Sequence, residues 1–281
     1  MDAVLLALAS AVLFGAMTVL LRPALAGGRD PLVGALLTVL PALGVGVAAT
    51  AVTGDWDRTG LWPFALAGVL GPGFSQVLFT LAIRDAGPSR TSAAVGTAPL
   101  FAVAFAVALL GEPLAGGIAA GAALIVAGGV LLAGERDRPE HVKVIGLVFA
   151  VGACLVFAAR DTFVRWLAID TDVSPELAMT TTLAAGAATI AVVVLVTRRP
   201  FSLRPLRSFA LPGILFGLSY ICLFEAVYRG RLSVVSPLVA TESLWGVAFS
   251  AVFLRHDGVS RRLAAGAVLV VAGGVLIGIS R

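Results

Sequence analysis

One fourteen-residue pattern occurs twice. Residues 119–132 read AAGAALIVAGGVLL and residues 264–277 read AAGAVLVVAGGVLI; eleven positions are identical, and three exchange one apolar residue for another. Self-similarity at a fixed distance limits architecture more tightly than any single residue does. Each copy closes an apolar run near the end of one half, so the chain reads as two related halves. The match extends upstream at a nearly constant distance. Phe14 and Arg22 recur 143 residues later as Phe157 and Arg165, and Ala82, Ser89, Thr97, Leu100 and Phe105 recur 144 later as Ala226, Ser233, Thr241, Leu244 and Phe249. The last run recurs at 145, which places one inserted residue around 256–260.

The solvent of these halves follows from composition. Only 13% of residues are charged and 59% are hydrophobic, with a mean hydropathy of +1.02. A soluble domain carries roughly 25% charged residues, so a bilayer is the fitting environment. Ten apolar runs are read, at 3–22, 31–52, 62–83, 90–110, 114–134, 143–166, 176–197, 208–228, 232–254 and 262–280. Each approaches the ~20 residues a helix needs to cross hydrocarbon. Helices are required because lipid satisfies no open backbone groups; the alternation of barrel strands is missing. The expected fold is an all-α integral membrane protein of ten transmembrane helices, with repeats at 1–134 and 143–281 joined by 135–142. The first run resembles a signal peptide, but Met1-Asp2 carries no positive charge and the run has a counterpart in the second half, so it is read as a span.

Five spans per half is an odd number. The second half then enters the membrane from the opposite side, and the halves become inverted repeats. Such folds place a substrate site near the midplane and alternate its access. The net charge of +4 sits mostly in short loops, which favours anionic headgroups over nucleic acid. Fourteen of the twenty Lys and Arg lie on the side of the odd-numbered loops, and the positive-inside rule then puts both termini outside. Cys154 and Cys222 show no metal or redox spacing. His141 and His256 stand in separate loops, and HExxH, GxSxG and Walker A motifs are absent. A secondary transporter is the expected function; an integral-membrane lipid-modifying enzyme and a passive channel remain the alternatives. No metal and no cofactor are expected.

Charge inside a span is the best pointer to function, since Asp, Lys or Arg at a helix centre costs about 2.5–3.5 kcal/mol. Glu242 lies mid-way along span 9, where it suits a cationic substrate group or a coupling proton. Glu225, near the end of span 8, has the spacing to pair with Arg229 or to stand at a cavity mouth. Arg160 and Asp161 lie inside span 6; Asp161 and Arg165 are spaced for an intrahelical ion pair, and Asp161 matches Thr18 of the first half. Gln76 and Tyr220 occupy one matched position in spans 3 and 8, which suits either a site near the pseudo-two-fold axis or interhelical hydrogen bonding. Thr97 and Thr241 form another matched pair. Trp245 is one turn past Glu242, placed to stack on substrate or to pack. Pro72, Pro99, Pro212 and Pro237 are candidate kinks. Gly117, Gly121 and Gly128 share a face that admits close helix approach, within the chain or in a homodimer.

These residues together resemble the EamA family of the drug/metabolite transporter superfamily. The resemblance rests on the 5+5 repeat, the AGGVLL and AGGVLI endings, Leu-Gly-Glu-Pro-Leu at Leu110–Leu114, and Ala82-Ile83 leading into Ser89. It covers essentially the whole chain. The second half departs from it, with Arg255-His256-Asp257 where the first has Gly111-Glu112. The resemblance implies a cell-membrane transporter of small metabolites, often an exporter of amino acids or toxic compounds. It implies a cavity lined by spans 1, 3, 4, 6, 8 and 9, with spans 5 and 10 outside it. It also implies termini inside, against the charge count.

Overall fold

A computed structural model describes residues 2–54, 56–57, 59–98, 100–101, 104–105, 108, 116–133, 143–230, 232–254 and 260–280. Among these, every regular element is helical. Span 1 is Ala3–Ala24, span 2 Pro31–Thr53 and span 3 Trp62–Ala86; spans 6, 7 and 8 are Val144–Leu167, Pro175–Val196 and Leu206–Arg229. These six are long and apolar enough to cross a membrane. Span 4 opens with Pro88–Val95, span 5 is Gly116–Ala133, span 9 is Leu232–Val239 followed by Glu242–Phe253, and span 10 is Arg261–Ile279. The segment 135–142, the turn at Leu110–Leu114, Pro99, His141 and Arg255-His256-Asp257 lie outside the described residues.

Local chemistry sets the helix starts. Asp30 caps span 2 by accepting from Leu32 and Val33 N–H ahead of Pro31, and Ser174 caps span 7 by accepting from Leu177 N–H ahead of Pro175. The two caps stand at matched positions. Trp56, Trp62 and Trp166 are exposed at span ends on the side of the even-numbered loops, as in an interfacial aromatic belt. Leu195, Leu211, Val252 and Phe253 face outward, a surface suited to acyl chains. The chain is a multi-pass membrane protein.

The halves pack by a two-fold rule. Span 1 packs on span 8 as span 6 packs on span 3, and span 2 on span 8 as span 7 on span 3. Spans 2 and 7, 4 and 9, and 5 and 10 pair with each other. Small residues allow these approaches. A Cβ at Gly213 would lie 2.5 Å from the Thr38 carbonyl oxygen, and one at Gly68 would strike the matched Thr182 carbonyl. Spans 5 and 10 run antiparallel: Gly121 faces the Gly273 carbonyl, and Gly128 faces that of Gly266. The repeated glycines, Gly117 included, therefore serve packing within the chain.

Candidate functional site

Spans 4 and 9 are each broken in the middle, at the same register. In span 4, Gly96 N–H reaches Ser92 O at 3.0 Å and Thr97 N–H reaches Ala94 O at 3.1 Å; in span 9, Ala240 N–H reaches Ser236 O and Thr241 N–H reaches Leu238 O at the same distances. The threonine hydroxyls repeat the symmetry. Thr97 Oγ1 donates to Ala94 O at 2.7 Å and Thr241 Oγ1 to Leu238 O at 2.6 Å. These side chains satisfy carbonyls that a regular helix would have used. Cys154 Sγ donates to Val95 O at 3.6 Å, a carbonyl whose i+4 partner is a proline without an N–H.

A small hollow lies beside these breaks. Its walls come from spans 1, 4, 6, 8 and 9, and include Ser10, Phe14, Arg160, Asp161, Tyr220 and Glu242. Its volume is about 50 Å³, room for a few waters, so the site is nearly closed. Arg160 is buried, with Nε 2.8 Å from Asp161 Oδ1. Its guanidinium lies 4.9 Å from the centroid of the Tyr220 ring, within range of a cation–π attraction. Arg160 Nη1 and the Tyr220 hydroxyl have no well-aligned hydrogen-bond partner. Glu242 begins the second half-helix of span 9, is 7% exposed, and makes no side-chain hydrogen bond among the described residues. Arg160 and Asp161 pair with each other, which leaves Glu242 as the carboxyl of the hollow outside that ion pair. Phe14, Phe79, Phe157 and Phe216 close the inner end, with Phe14 5.1 Å from Phe79 and 6.0 Å from both Phe157 and Phe216.

Several expected positions shift. Asp161 pairs with Arg160, not Arg165. Arg165 Nη1 instead donates to Val227 O at 2.7 Å, as the matched Arg22 Nη1 donates to Ile83 O at 3.0 Å; both arginines cap carbonyls near the end of a facing helix. Glu225 accepts from Arg229 at 2.6 Å, away from the hollow. Trp245 is 39% exposed, places its Cβ against Gly15 and stacks on Phe249; it does not line the hollow. Gln76 is fully buried with neither amide atom paired, and no described residue of span 3 lines the hollow. Span 3 departs from helical geometry at Gly71, beside Pro72. Pro212 sits in an uninterrupted helix, so it is not a break, and Pro237 lies within Leu232–Val239, just before one. Pro99 and Pro237 mark the two broken spans in the sequence; the matched register of the breaks was missed, and its trace is the recurrence of Thr97 as Thr241, each after a small residue.

Comparison with known proteins agrees with this architecture. The family model described as the EamA-like transporter family matches residues 1–134 and again residues 144–279. A solved crystal structure of a protein superposes with a TM-score of 0.70 over 98% of this chain and 95% of its own, at 22% sequence identity; that is a likeness of fold. Among curated proteins, none matches the sequence significantly.

Proposed function

This chain belongs to the EamA-like transporter family, within the drug/metabolite transporter superfamily, and from that premise we propose a secondary transporter of a small metabolite working by alternating access across the cytoplasmic membrane. Export is the direction the family resemblance implies. The repeats are 1–134 and 143–281, joined by 135–142, and ten crossings make them inverted halves. The symmetric packing and the antiparallel pairing of spans 5 and 10 support that topology. The observation that carries the reading is Glu242: a carboxyl group at the junction of two half-helices, inside a hollow between the halves, without a side-chain hydrogen bond among the described residues. Ionised carboxylates in hydrocarbon need a counter-charge. Glu242 takes a cationic group of the solute or a coupling proton in turn. Arg160, Asp161 and Tyr220 shape the rest of the site, and Thr97 and Thr241 hold the broken helices. The working unit in lipid is a monomer, or a homodimer through a face other than the glycine one, which is used internally.

A thermal-shift screen of the purified protein against amino acids, nucleosides, sugars and cationic drugs identifies a ligand, and counterflow of that solute in vesicles tests transport. Saturable counterflow is expected. Non-saturating flux would mean a channel, and lipid turnover without solute movement would mean an enzyme.

A further inference from the structure

The hollow has a closed image. Applying the repeat offset to its polar walls sends Ser219 to Ser75, Tyr220 to Gln76 and Glu242 to Ala98. Arg160 and Asp161 go to Met17 and Thr18. Ala98 borders the observed hollow itself, whereas Met17, Thr18, Ser75 and Gln76 stand off it, toward the odd-numbered loops; Phe14 and Phe157, images of each other, stand between. The image region carries a mark of its own. Ser75 Oγ, both ends of the Gln76 amide and, one turn on, Thr80 Oγ1 are fully buried and have no hydrogen-bond partner among the described residues. In the observed hollow, Ser219 Oγ is satisfied by Ser10, 3.0 Å from both its hydroxyl and its carbonyl. The position matching Ser10 is Ala153, so Ser75 has no such hydroxyl to meet. Leaving buried donors and acceptors unpaired is costly, and three such side chains on one stretch of span 3 point to a state in which they are met.

Resting on the transporter reading above, we propose that Ser75, Gln76 and Thr80 line a second half-site, opened when the protein faces the odd-loop side, which binds an uncharged hydrogen-bonding group of the solute: a hydroxyl, amide or carbonyl. The half-site has no ionisable side chain of its own, because Arg160, Asp161 and Glu242 map to Met17, Thr18 and Ala98; the stem of Arg160, against Gly71 beside Ser75, borders it. The solute is therefore held by charge from the termini side and by neutral hydrogen bonds from the other. Pseudo-symmetry moves the opening across the membrane but leaves the charges behind.

The matched serines give the test, since cysteine is nearly isosteric with serine. Ser75→Cys, Gln76→Cys and Ser219→Cys are made singly, and labelling by a membrane-impermeant maleimide is compared with the parent chain, whose Cys154 and Cys222 set the background. Ser202→Cys and Asp170→Cys, at exposed positions, mark the odd-loop and termini faces. The expected result is labelling of Ser75→Cys and Gln76→Cys from the odd-loop face only, several-fold above background, and of Ser219→Cys from the termini face only. A solute that raises one rate lowers the other. Ser75→Cys and Gln76→Cys inert from both faces, while Ser219→Cys reacts and counterflow saturates, overturns the second half-site and leaves the transporter reading intact. All three reacting from one face at once would overturn the transporter reading itself.

Discussion

Spans 4 and 9 break at the same register, with the same backbone bonds and the same threonine caps, yet only span 9 follows its break with a carboxylate. Ala98 stands where Glu242 stands in the other half. The same contrast holds one helix away, where Met17 and Thr18 match Arg160 and Asp161. The scaffold obeys the two-fold axis while the ionisable chemistry does not. A symmetric scaffold lets two facing states have similar energy; an asymmetric charge set lets them bind the solute differently, and a ligand shifts a two-state equilibrium only by such a difference.

The largest effect is expected at the buried ion pair. Arg160→Ala leaves Asp161 without its partner and should cost about 3–5 kcal/mol of stability, read as a lowered melting temperature in detergent. Met17→Ala, at the matched uncharged position, should cost less; equal losses would erase the contrast between the halves. Glu242→Gln removes a charge-assisted contact worth about 1.5–3 kcal/mol. Transport should fall on the order of 10- to 100-fold with membrane expression retained, while Ala98→Ser should change it little. Gly121→Val would press a side chain against the Gly273 carbonyl, costing about 1–3 kcal/mol by overpacking. Gly266→Val, at the matched position, should cost about the same if the scaffold is truly symmetric. Thr97→Ala and Thr241→Ala each lose a hydroxyl bond to a carbonyl of the same span, about 1 kcal/mol, and Thr97→Ala, which also loses a 3.5 Å contact to Cys154 Sγ, should melt slightly lower. Only Thr241→Ala, beside Glu242, should alter transport. Trp245→Phe should change transport less than two-fold, since the ring lies outside the hollow; a larger loss would move Trp245 into the site.

Much of this frame can be read from the chain alone. Ten apolar runs and their lengths follow from what lipid and helical geometry demand; the described helices of every run but the fourth begin and end within a few residues of it, and the fourth begins so. Glu242, Arg160, Asp161 and Tyr220 also stand out as polar groups in apolar runs, and the structure brings them to one hollow. The partners of those groups are harder to read. Spacing favours Asp161 with Arg165, but the hollow draws Asp161 toward Arg160 while Arg165 reaches a carbonyl of span 8, a contact 62 residues away that no local rule contains. Trp245 lies within one turn of Glu242, yet a helix turns enough in three residues to point it at span 1 and lipid. Pro99 and Pro237 hint at kinks in spans 4 and 9, but they stand on opposite sides of the two breaks, so the shared register at Gly96-Thr97 and Ala240-Thr241 shows only in the hydrogen bonds. Gln76 shows its oddity only in the fold, where no described residue bonds to its amide.

The most direct measurement is saturable counterflow of the solute found by thermal shift, compared between the parent chain and Glu242→Gln in vesicles with and without an imposed proton gradient. The account predicts counterflow that saturates in the parent chain and is lost in Glu242→Gln at equal protein in the membrane. Parental rates in Glu242→Gln, with the same response to the gradient, would contradict it.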